Sequence, residues 1–459
     1  MGRAVMKELV RLQRNYFNSN ATKPVAFRLA QLNKLKRMIE SNEGVLQEAI
    51  YQDVGKGTFE TFLTEFYFVH EELKTVIKDL QEWARPKPID TDVLNAPAKS
   101  YVIPAPLGVS LVIAPWNYPF QLSLGPVIAA IAAGCTIVLK PSELTPNCSQ
   151  VLDSLIKKNF DLEYFAVVEG GIPETTEVLA QKFDVIFFTG SVPVGKVVYE
   201  AAAKHLTPVI LELGGKSPAI VAADSDLDIA VRRLTWAKFL NAGQSCIAPD
   251  YVCVHKSVEQ PFLEKVACEI KIADYKLENG NYVNIINERN ASRVAGLIDV
   301  NKVYLGGAYD IEKRFIEPTV MTNVTWDDKV MQEEIFGPVL PVMAYEDLDE
   351  VIRQIKQRPK PLSLSVFTQD ESIERKVLQE ISFGGGCVNE ALMHIANGDL
   401  PFGGVGDSGT GSYHGGAGFK AFPHFKSILD KEVTPDPDVK YSPHTEEKLK
   451  VLKSIAGVG

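Results

Sequence analysis

A chain of 459 residues has room for two or three domains and a large buried core. Hydrophobic residues make up 46% and charged residues 23%, with 33 Gly and 27 Pro, which excludes disorder, collagen and coiled coil as whole-chain descriptions. The 58 acidic residues outnumber the 48 basic ones, and a net charge of −10 opposes a broad grip on phosphate backbones, so no nucleic-acid partner is expected.

MGRAVMKELVRLQRN opens the chain with charges every few residues and no apolar stretch of signal-peptide length. Met6 stands where a myristoylation motif beginning at Gly2 needs Ser or Thr, so neither export nor acylation is expected. Leu32, Leu35 and Ile39, then Leu73, Val76, Ile77 and Leu80, recur at helical spacing with Lys, Glu and Gln between them. Residues 1–84 therefore read as mostly amphipathic helix. Arg85-Pro-Lys-Pro-Ile-Asp-Thr-Asp, with two prolines among turn formers, predicts an exit into an extended connection.

From Tyr101 to Leu139 there are 39 residues without a formal charge, long enough to span a membrane. Pro104, Pro106, Pro115, Pro119 and Pro126 interrupt the run, and Asn117 and Gln121 lie within it. The better reading is a buried strand from Val109 to Ala114, a helix of small residues from Val127 to Ala133 and a second strand from Thr136 to Leu139. Helices near 146–158, 174–182 and 194–204 then alternate with apolar runs at 164–168, 185–188 and 209–211, the pattern of a parallel sheet covered on both faces. A second alternating block runs from Ser217 to about Val388, with helical patterns near 226–241 and 257–270, and reads as a separate α/β domain. Glycine crowds 384–418, and the tail after Lys431 is polar with Pro435, Pro437 and Pro443.

Gly404-Val-Gly-Asp-Ser-Gly409 matches a dinucleotide-loop pattern, but no strand leads into it and too little chain follows for a βαβ unit. Phe188-Thr-Gly-Ser-Val-Pro-Val-Gly-Lys196 follows a predicted strand and opens a predicted helix. There Gly190 makes the turn, Ser191 offers a hydroxyl and the helix start offers free N–H groups to an anion, although Gly and Ser before a helix more often only cap it. Six cysteines (135, 148, 246, 253, 268 and 387) show neither disulfide-framework nor zinc-ligand spacing, so reduced thiols in a cytosolic setting and no metal are expected. Cys246 lies in Asn241-Ala-Gly-Gln-Ser-Cys, a loop of small and polar residues, and the other five fit packing roles. Glu212 ends an apolar run before a glycine pair, where desolvation would raise its pKa toward that of a general base; the alternative is an ion pair with Lys216 or Arg232. Asn117, between prolines and aromatics, is either a rigid amide donor for an oxyanion or a satisfied turn residue.

Taken in order, Pro115-Trp-Asn-Tyr-Pro119, Lys140-Pro-Ser-Glu143, Phe188-Thr-Gly-Ser191, Leu211-Glu-Leu-Gly-Gly-Lys-Ser-Pro218, Gly243-Gln-Ser-Cys246 and Glu334-Ile-Phe-Gly-Pro338 resemble the motifs of the aldehyde dehydrogenase superfamily. Ala203-Lys-His-Leu-Thr-Pro-Val209 and the segment Pro401–Gly415 look like its class 3 branch, which includes fatty aldehyde dehydrogenases, and the likeness covers about residues 5 to 430. The resemblance implies an α/β fold with a Rossmann-like parallel-sheet cofactor domain (1–84 and 108–210) and a second α/β catalytic domain (211–388). It adds a small bridging or dimerisation element (85–107 and 389–430), a C-terminal tail (431–459) and a cytoplasmic homodimer.

Carried over by motif, Cys246 would be the nucleophile, Glu212 the general base, and Asn117 with the Cys246 backbone N–H the oxyanion donors. Lys140 and Glu143 would hold the adenosine ribose of NAD or NADP. Trp116 and the loop of Gly190, Ser191, Val194 and Gly195, with Leu213 and Gly214, would hold the pyrophosphate side, and Glu334 with Phe336 the nicotinamide ribose. Pro193 stands where members of the branch carry Gly and lacks an N–H for phosphate, and use of both NAD and NADP is expected. Superfamily members that pass the acyl group to coenzyme A typically lack the glutamate, so its presence implies hydrolysis to a free acid. The substrate expected is a medium- or long-chain aliphatic or an aromatic aldehyde. Some members of the branch end in an apolar membrane helix, whereas Lys448, Lys450 and Lys453 punctuate this tail, so no integral membrane segment is expected. A cofactor-free thiol esterase and an inactive scaffold are the competing readings.

Overall fold

The apolar stripes of the N-terminal quarter lie on the helices Arg3–Asn18, Val25–Glu40, Glu43–Val54 and Tyr67–Trp83 of the computed structural model, which describes residues 3–458. Met1, Gly2, where an acylation motif would have begun, and Gly459 lie outside the described residues. Leu32, Leu35, Ile39, Leu73, Val76 and Leu80 are buried, and Ile77 packs at the edge of the same core. Gly55 ends its helix at φ 69°, where an added Cβ would meet Asn284 Oδ1 at 2.6 Å.

Both prolines of the exit after Trp83 fall in or beside a short exposed strand, Lys87–Ile89, on the edge of a three-stranded antiparallel sheet with Ala98–Pro106 and Pro423–Lys431. The uncharged run then forms the strand Val109–Ile113, the helix Gln121–Ala133 and the strand Thr136–Lys140. That helix begins six residues before the expected Val127, with Pro126 inside it. Pro126, sixth in the helix, forgoes the bond an N–H there would make to the Leu122 carbonyl, but every residue of the helix is buried against its neighbours; the first-turn N–H groups lack a helical acceptor too. Here the buried Glu65 carboxylate supplies one, accepting from the N–H groups of Phe120 at 3.0 Å and Gln121 at 2.8 Å.

The six-stranded sheet runs Gly409–Thr410, Val209–Glu212, Val185–Thr189, Val109–Ile113, Thr136–Lys140, Phe165–Val167, parallel except for its first, antiparallel strand. From Val109–Ile113 the chain winds outward through 136 and 165, then returns to the other side at 185. The crevice at the carboxyl ends of Val109–Ile113 and Val185–Thr189 is therefore the topological switch point, where open α/β sheets bind ligands. Pro115-Trp116-Asn117 and Gly190-Ser191 follow directly from these two strands. A second sheet of seven strands, parallel except at one edge pair, runs Val303–Leu305, Thr319–Met321, Val339–Tyr345, Tyr251–His255, Pro218–Val221, Ser363–Phe367, Gly385–Val388. The molecule is a mixed α/β protein built on two parallel sheets, as the alternating pattern predicts.

The Gly404–Gly409 pattern is a tight turn in which Ser408 Oγ accepts from the Val405 N–H at 2.9 Å. It feeds the two-residue edge strand beside Glu212. All six cysteines are free, and four of the five assigned to packing are buried. Cys268 is exposed instead: the helix Glu259–Ala273 buries Phe262, Leu263 and Val266, and position 268 falls about 200° around from 266. Among the described residues no helix is long and apolar enough to cross a membrane, and no cluster of three metal-ligating side chains occurs.

Candidate active site

Two cavities meet at three side chains. The first, an open cleft of about 1200 Å³ at the switch point, is lined by Trp116, Asn117, Gly190, Ser191, Leu213, Gly214, Glu334 and Phe336 among others. The second, an apolar tunnel of about 710 Å³, is walled by residues including Tyr67, Phe68, Tyr118, Leu122, Trp236, Leu392, Met393, Phe402 and Tyr413. Thr189, Glu212 and Cys246 line both.

Glu212 is the last residue of its strand, opposite Thr189 on one side and Gly409 on the other. It is 2% exposed, and neither carboxyl oxygen has a hydrogen-bond partner. Burial raises its pKa well above the ordinary carboxylate value. The ion pair considered from sequence does not form. Lys216 binds Asp250 at 2.6 Å and the carbonyls of Val330 and Glu333, both at 2.9 Å. Lys216 thus braces the loop that carries Glu334, and Arg293 braces it from the other side through the carbonyls of Glu334 at 3.3 Å and Ile335 at 2.7 Å.

Cys246 follows a tight turn in which Asn241, Ala242 and Gly243 all have positive φ, at 53°, 51° and 72°. Such backbone persists only where its surroundings over-determine it. Asn241 donates its N–H to Glu60 Oε1 at 2.8 Å and its amide to the carbonyls of Asn117 at 3.0 Å and Gln244 at 3.1 Å. Gln244 donates to the carbonyls of Asn241 and Asn284, both at 3.1 Å, and accepts from the Ile286 N–H at 2.9 Å. Gly243 cannot be replaced here, since a Cβ would lie 2.3 Å from the Gly337 carbonyl oxygen. The half-buried Cys246 thiol is pushed up to about 12, chiefly by burial and then by Glu334 and Glu212. At neutral pH it rests as a thiol and needs a base.

Asn117 donates its amide to the Gln244 carbonyl at 3.1 Å, while its own backbone carbonyl accepts from Asn241 and from Lys56 Nζ at 3.4 Å. Lys56 and Glu65 form a fully buried ion pair at 3.2 Å, with the ammonium 4.5 Å from the Tyr118 ring centre. This pair joins the Asn117 loop to the start of the helix after it. Glu65→Ala leaves the Lys56 charge buried and unpaired, and we expect a loss of about 3–5 kcal/mol in denaturant unfolding.

On the cofactor side, Trp116 and Phe336 meet edge to face with centroids 5.4 Å apart, and Phe336 holds a φ of 48°. A Cβ on Gly214 would lie 2.0 Å from Glu334 Oε2, so only glycine lets that carboxylate approach. Burial raises Glu334 to about 8. Gly190 and Gly195 are likewise cramped, with Cβ positions 2.5 Å from the Phe188 ring and 2.6 Å from Leu213 Cδ2. Ser191 is the N-cap of the helix Val192–Ala203, but its hydroxyl makes no capping bond, and Pro193 sits in the first turn. The unbonded hydroxyl and free first-turn N–H groups suit a phosphate.

Not every residue carried over from the motifs lines this cleft. Gly195 is buried beneath Leu213, and Val194 points to solvent. Lys140 and Glu143 lie at the end of the neighbouring strand, where Lys140 Nζ donates to the Pro141 carbonyl at 2.7 Å and sits 3.9 Å from Glu143. Burial lowers the Lys140 pKa. The sequence reading assigned no role to Thr189, Tyr413, Arg293 or the tunnel walls. Thr189 Oγ1 and the Tyr413 hydroxyl are buried without partners beside Glu212, a property invisible without the fold.

Residues 2–428 match the profile described as "Aldehyde dehydrogenase family". The chain is 44% identical over 444 residues to the 4,4'-diaponeurosporen-aldehyde dehydrogenase of Staphylococcus aureus, with 96% of each chain covered. It is also 44% identical over 430 residues to a Rattus norvegicus protein named "Aldehyde dehydrogenase, dimeric NADP-preferring", covering 93% of this chain and 95% of the relative. Its fold is similar to the solved "Substrate bound state of Staphylococcus Aureus AldH", with a TM-score of 0.95, 43% identity, and 98% and 99% of the two chains covered.

Proposed function

Because this chain belongs to the aldehyde dehydrogenase family, we propose that it oxidises an aldehyde seated in the apolar tunnel to a free carboxylic acid, with Cys246 as nucleophile, Glu212 as general base and Asn117 as oxyanion donor. The observation that carries this reading is the meeting of tunnel and cleft at Cys246 and Glu212. A carbonyl carbon held there would meet the thiol, with the cleft beside it free to hold a hydride acceptor.

The thiol proton passes to the Glu212 carboxylate, directly or through water, as sulfur bonds the carbonyl carbon. The oxygen gains negative charge, and the Asn117 amide with the Cys246 N–H stabilises it from fixed positions. Bound in the cleft, NAD or NADP supplies the acceptor for the hydride that this carbon loses. The acyl group is then a thioester on Cys246. Once Glu212 has released the thiol proton, it takes a proton from water, the new C–O bond forms, the C–S bond breaks, and Cys246 regains a proton as the acid leaves. A scaffold role leaves the unpartnered buried Glu212 without a purpose, and an esterase leaves the cleft without one.

We assign the six-stranded sheet with the N-terminal helices to cofactor binding (1–84 and 108–210) and the seven-stranded sheet to the catalytic domain (211–388). The three-stranded sheet, with 85–107 and 389–430, forms the bridging element, followed by the tail (431–459). Trp116, Gly190, Ser191, Leu213, Gly214, Glu334 and Phe336 would hold the dinucleotide, with Val194 and Gly195 behind the phosphate loop and Lys140 and Glu143 toward the adenosine end. The tunnel's apolar walls favour a medium- or long-chain aliphatic or an aromatic aldehyde. The name of the rat relative supports a dimer and use of NADP. Six free cysteines support a reducing, cytoplasmic setting.

Initial rates across an aldehyde chain-length series, with NAD and with NADP, test the assignment. Rates should climb with apolar chain length, and both cofactors should support turnover. Acyl transfer without dinucleotide together with no NADH made from any aldehyde would overturn it. Glu212 acts as a base only when ionised, and burial raises its pKa, so kcat/KM should rise with pH through the neutral range. A flat profile from pH 6 to 9 would contradict the assigned base.

A further inference from the structure

Each turnover converts an aldehyde and a water into a carboxylate, one hydride and two protons. The protons appear at Glu212, which is buried and unpartnered. Glu212 lines the cleft and the tunnel, which the dinucleotide and a long acyl chain would fill. A third cavity of about 510 Å³ lies behind the tunnel wall. It shares Phe68, Gln121 and Ile395 with the tunnel, and Glu72, Thr75 and His414 line its far side.

Glu72 is buried, and both of its carboxyl oxygens lie within reach of the Gly415 N–H, at 2.9 and 3.1 Å. Tyr413 lies near enough to both Glu212 and Glu72 to feel the charge of each. Its ring packs edge-on against Phe187 at 4.9 Å, and Phe187 shares a strand face with Thr189, the register partner of Glu212. The buried Tyr413 hydroxyl has no hydrogen-bond partner; the Gln121 amide lies beside it, outside hydrogen-bonding geometry.

We propose that Glu72 is the proton outlet of the site, receiving protons from Glu212 over the Tyr413 hydroxyl and water held at Gln121, and passing them through the third cavity to solvent. The inference rests on the roles proposed for Cys246 and Glu212. Each transfer breaks one O–H bond and forms another. Tyr413 and the water return to their starting state, and no group is oxidised.

Burial lifts the Glu72 carboxyl to about 7, opposed only by the Gly415 N–H, so it accepts and releases protons near neutrality. His414 faces it across the cavity and is held neutral, since burial lowers its pKa to about 4. Glu71, on the same helix, lies at the rim, and the helix Gln121–Ala133 presents only the neutral Gln121 and Gly125. Lys36 and Glu40 of the helix Val25–Glu40 face a separate groove with His70 and Lys74. Among the described residues no cation lines the cavity around Glu72.

A structural role for Glu72 would affect every substrate alike, whereas an outlet matters most when the tunnel is plugged. The test is steady-state turnover of dodecanal and of propanal with saturating NAD in the full chain. In Glu72→Gln the ratio of kcat for dodecanal to kcat for propanal should fall about tenfold, a modest share of what a positioned proton-transfer group contributes. Gln121→Leu, which leaves the Glu72 contact with Gly415 in place, should lower the same ratio. Formate added to Glu72→Ala should restore dodecanal turnover by entering the cavity. An equal loss for both aldehydes, or an unchanged ratio in both Glu72→Gln and Gln121→Leu, overturns the outlet while leaving the proposed function standing. A wild-type chain that makes no NADH from either aldehyde overturns both.

Discussion

Glu212→Gln should still release a burst of about one NADH per active site, and then turn over roughly 10²–10⁴-fold more slowly than the parent. The amide keeps the shape of the carboxyl group but cannot take a proton from water, so acylation proceeds and the thioester accumulates. The environment of Cys246 adds a second expectation. Burial and two nearby carboxylates hold its thiol up to about 12, so little thiolate exists at neutral pH without a base. If Glu212 also deprotonates that thiol, the burst itself slows in the variant, and raising the pH restores it by supplying thiolate. Stopped-flow absorbance of NADH across a pH series separates the two cases. Full steady turnover in the variant would reduce Glu212 to a packing residue, which its unpartnered oxygens make hard to rationalise.

Cys246→Ala should abolish aldehyde oxidation and leave NAD binding nearly intact. In the proposed mechanism the thiol forms the bond to substrate, whereas the grip on NAD would come from Trp116, the Gly190 loop, Glu334 and Phe336, which line the cleft. Calorimetric titration with NAD beside a rate assay reads both properties. Cys253 and Cys387 are the controls. Cys253 is buried within a strand, and Cys387 lies 3.5 Å from His394 Nδ1 with its thiol raised by burial. Loss of activity on replacing either of these, with Cys246 intact, would reassign the nucleophile.

Much of the scaffold was legible because local patterns coincide with the tertiary solution. The uncharged runs read at 109–114, 136–139 and 185–188 fold as the strands 109–113, 136–140 and 185–189, buried on both faces as parallel strands are. The start of the helix at Gln121 was not legible, because its first N–H groups are satisfied by Glu65, some 55 residues earlier in the chain. Cys246, Glu212 and Asn117 stood out as polar or reactive residues in loops and at a strand end. Choosing between base and ion pair for Glu212 required knowing that Lys216 is taken by Asp250. The residues that escaped notice act through distance in sequence. Tyr413 reaches the tunnel beside Glu212 from about 200 residues away, and nothing in a glycine-rich stretch marks one tyrosine as a wall of the site. Cys268, assigned to a packed interior, shows the opposite error: a helix places alternate faces in very different surroundings, and an apolar residue type does not say which.

The strand that carries Glu212 has as its outer neighbour only the two residues Gly409 and Thr410, and the Leu213 N–H donates to the Ser408 carbonyl at 3.0 Å. Every other strand of both parallel sheets, and Cys246, thus precedes in the chain the residues that form the last edge of the strand carrying Glu212 and the Tyr413 wall. A product truncated before Gly409 therefore carries Cys246 and Glu212 with neither the outer strand nor the Tyr413 wall of the tunnel.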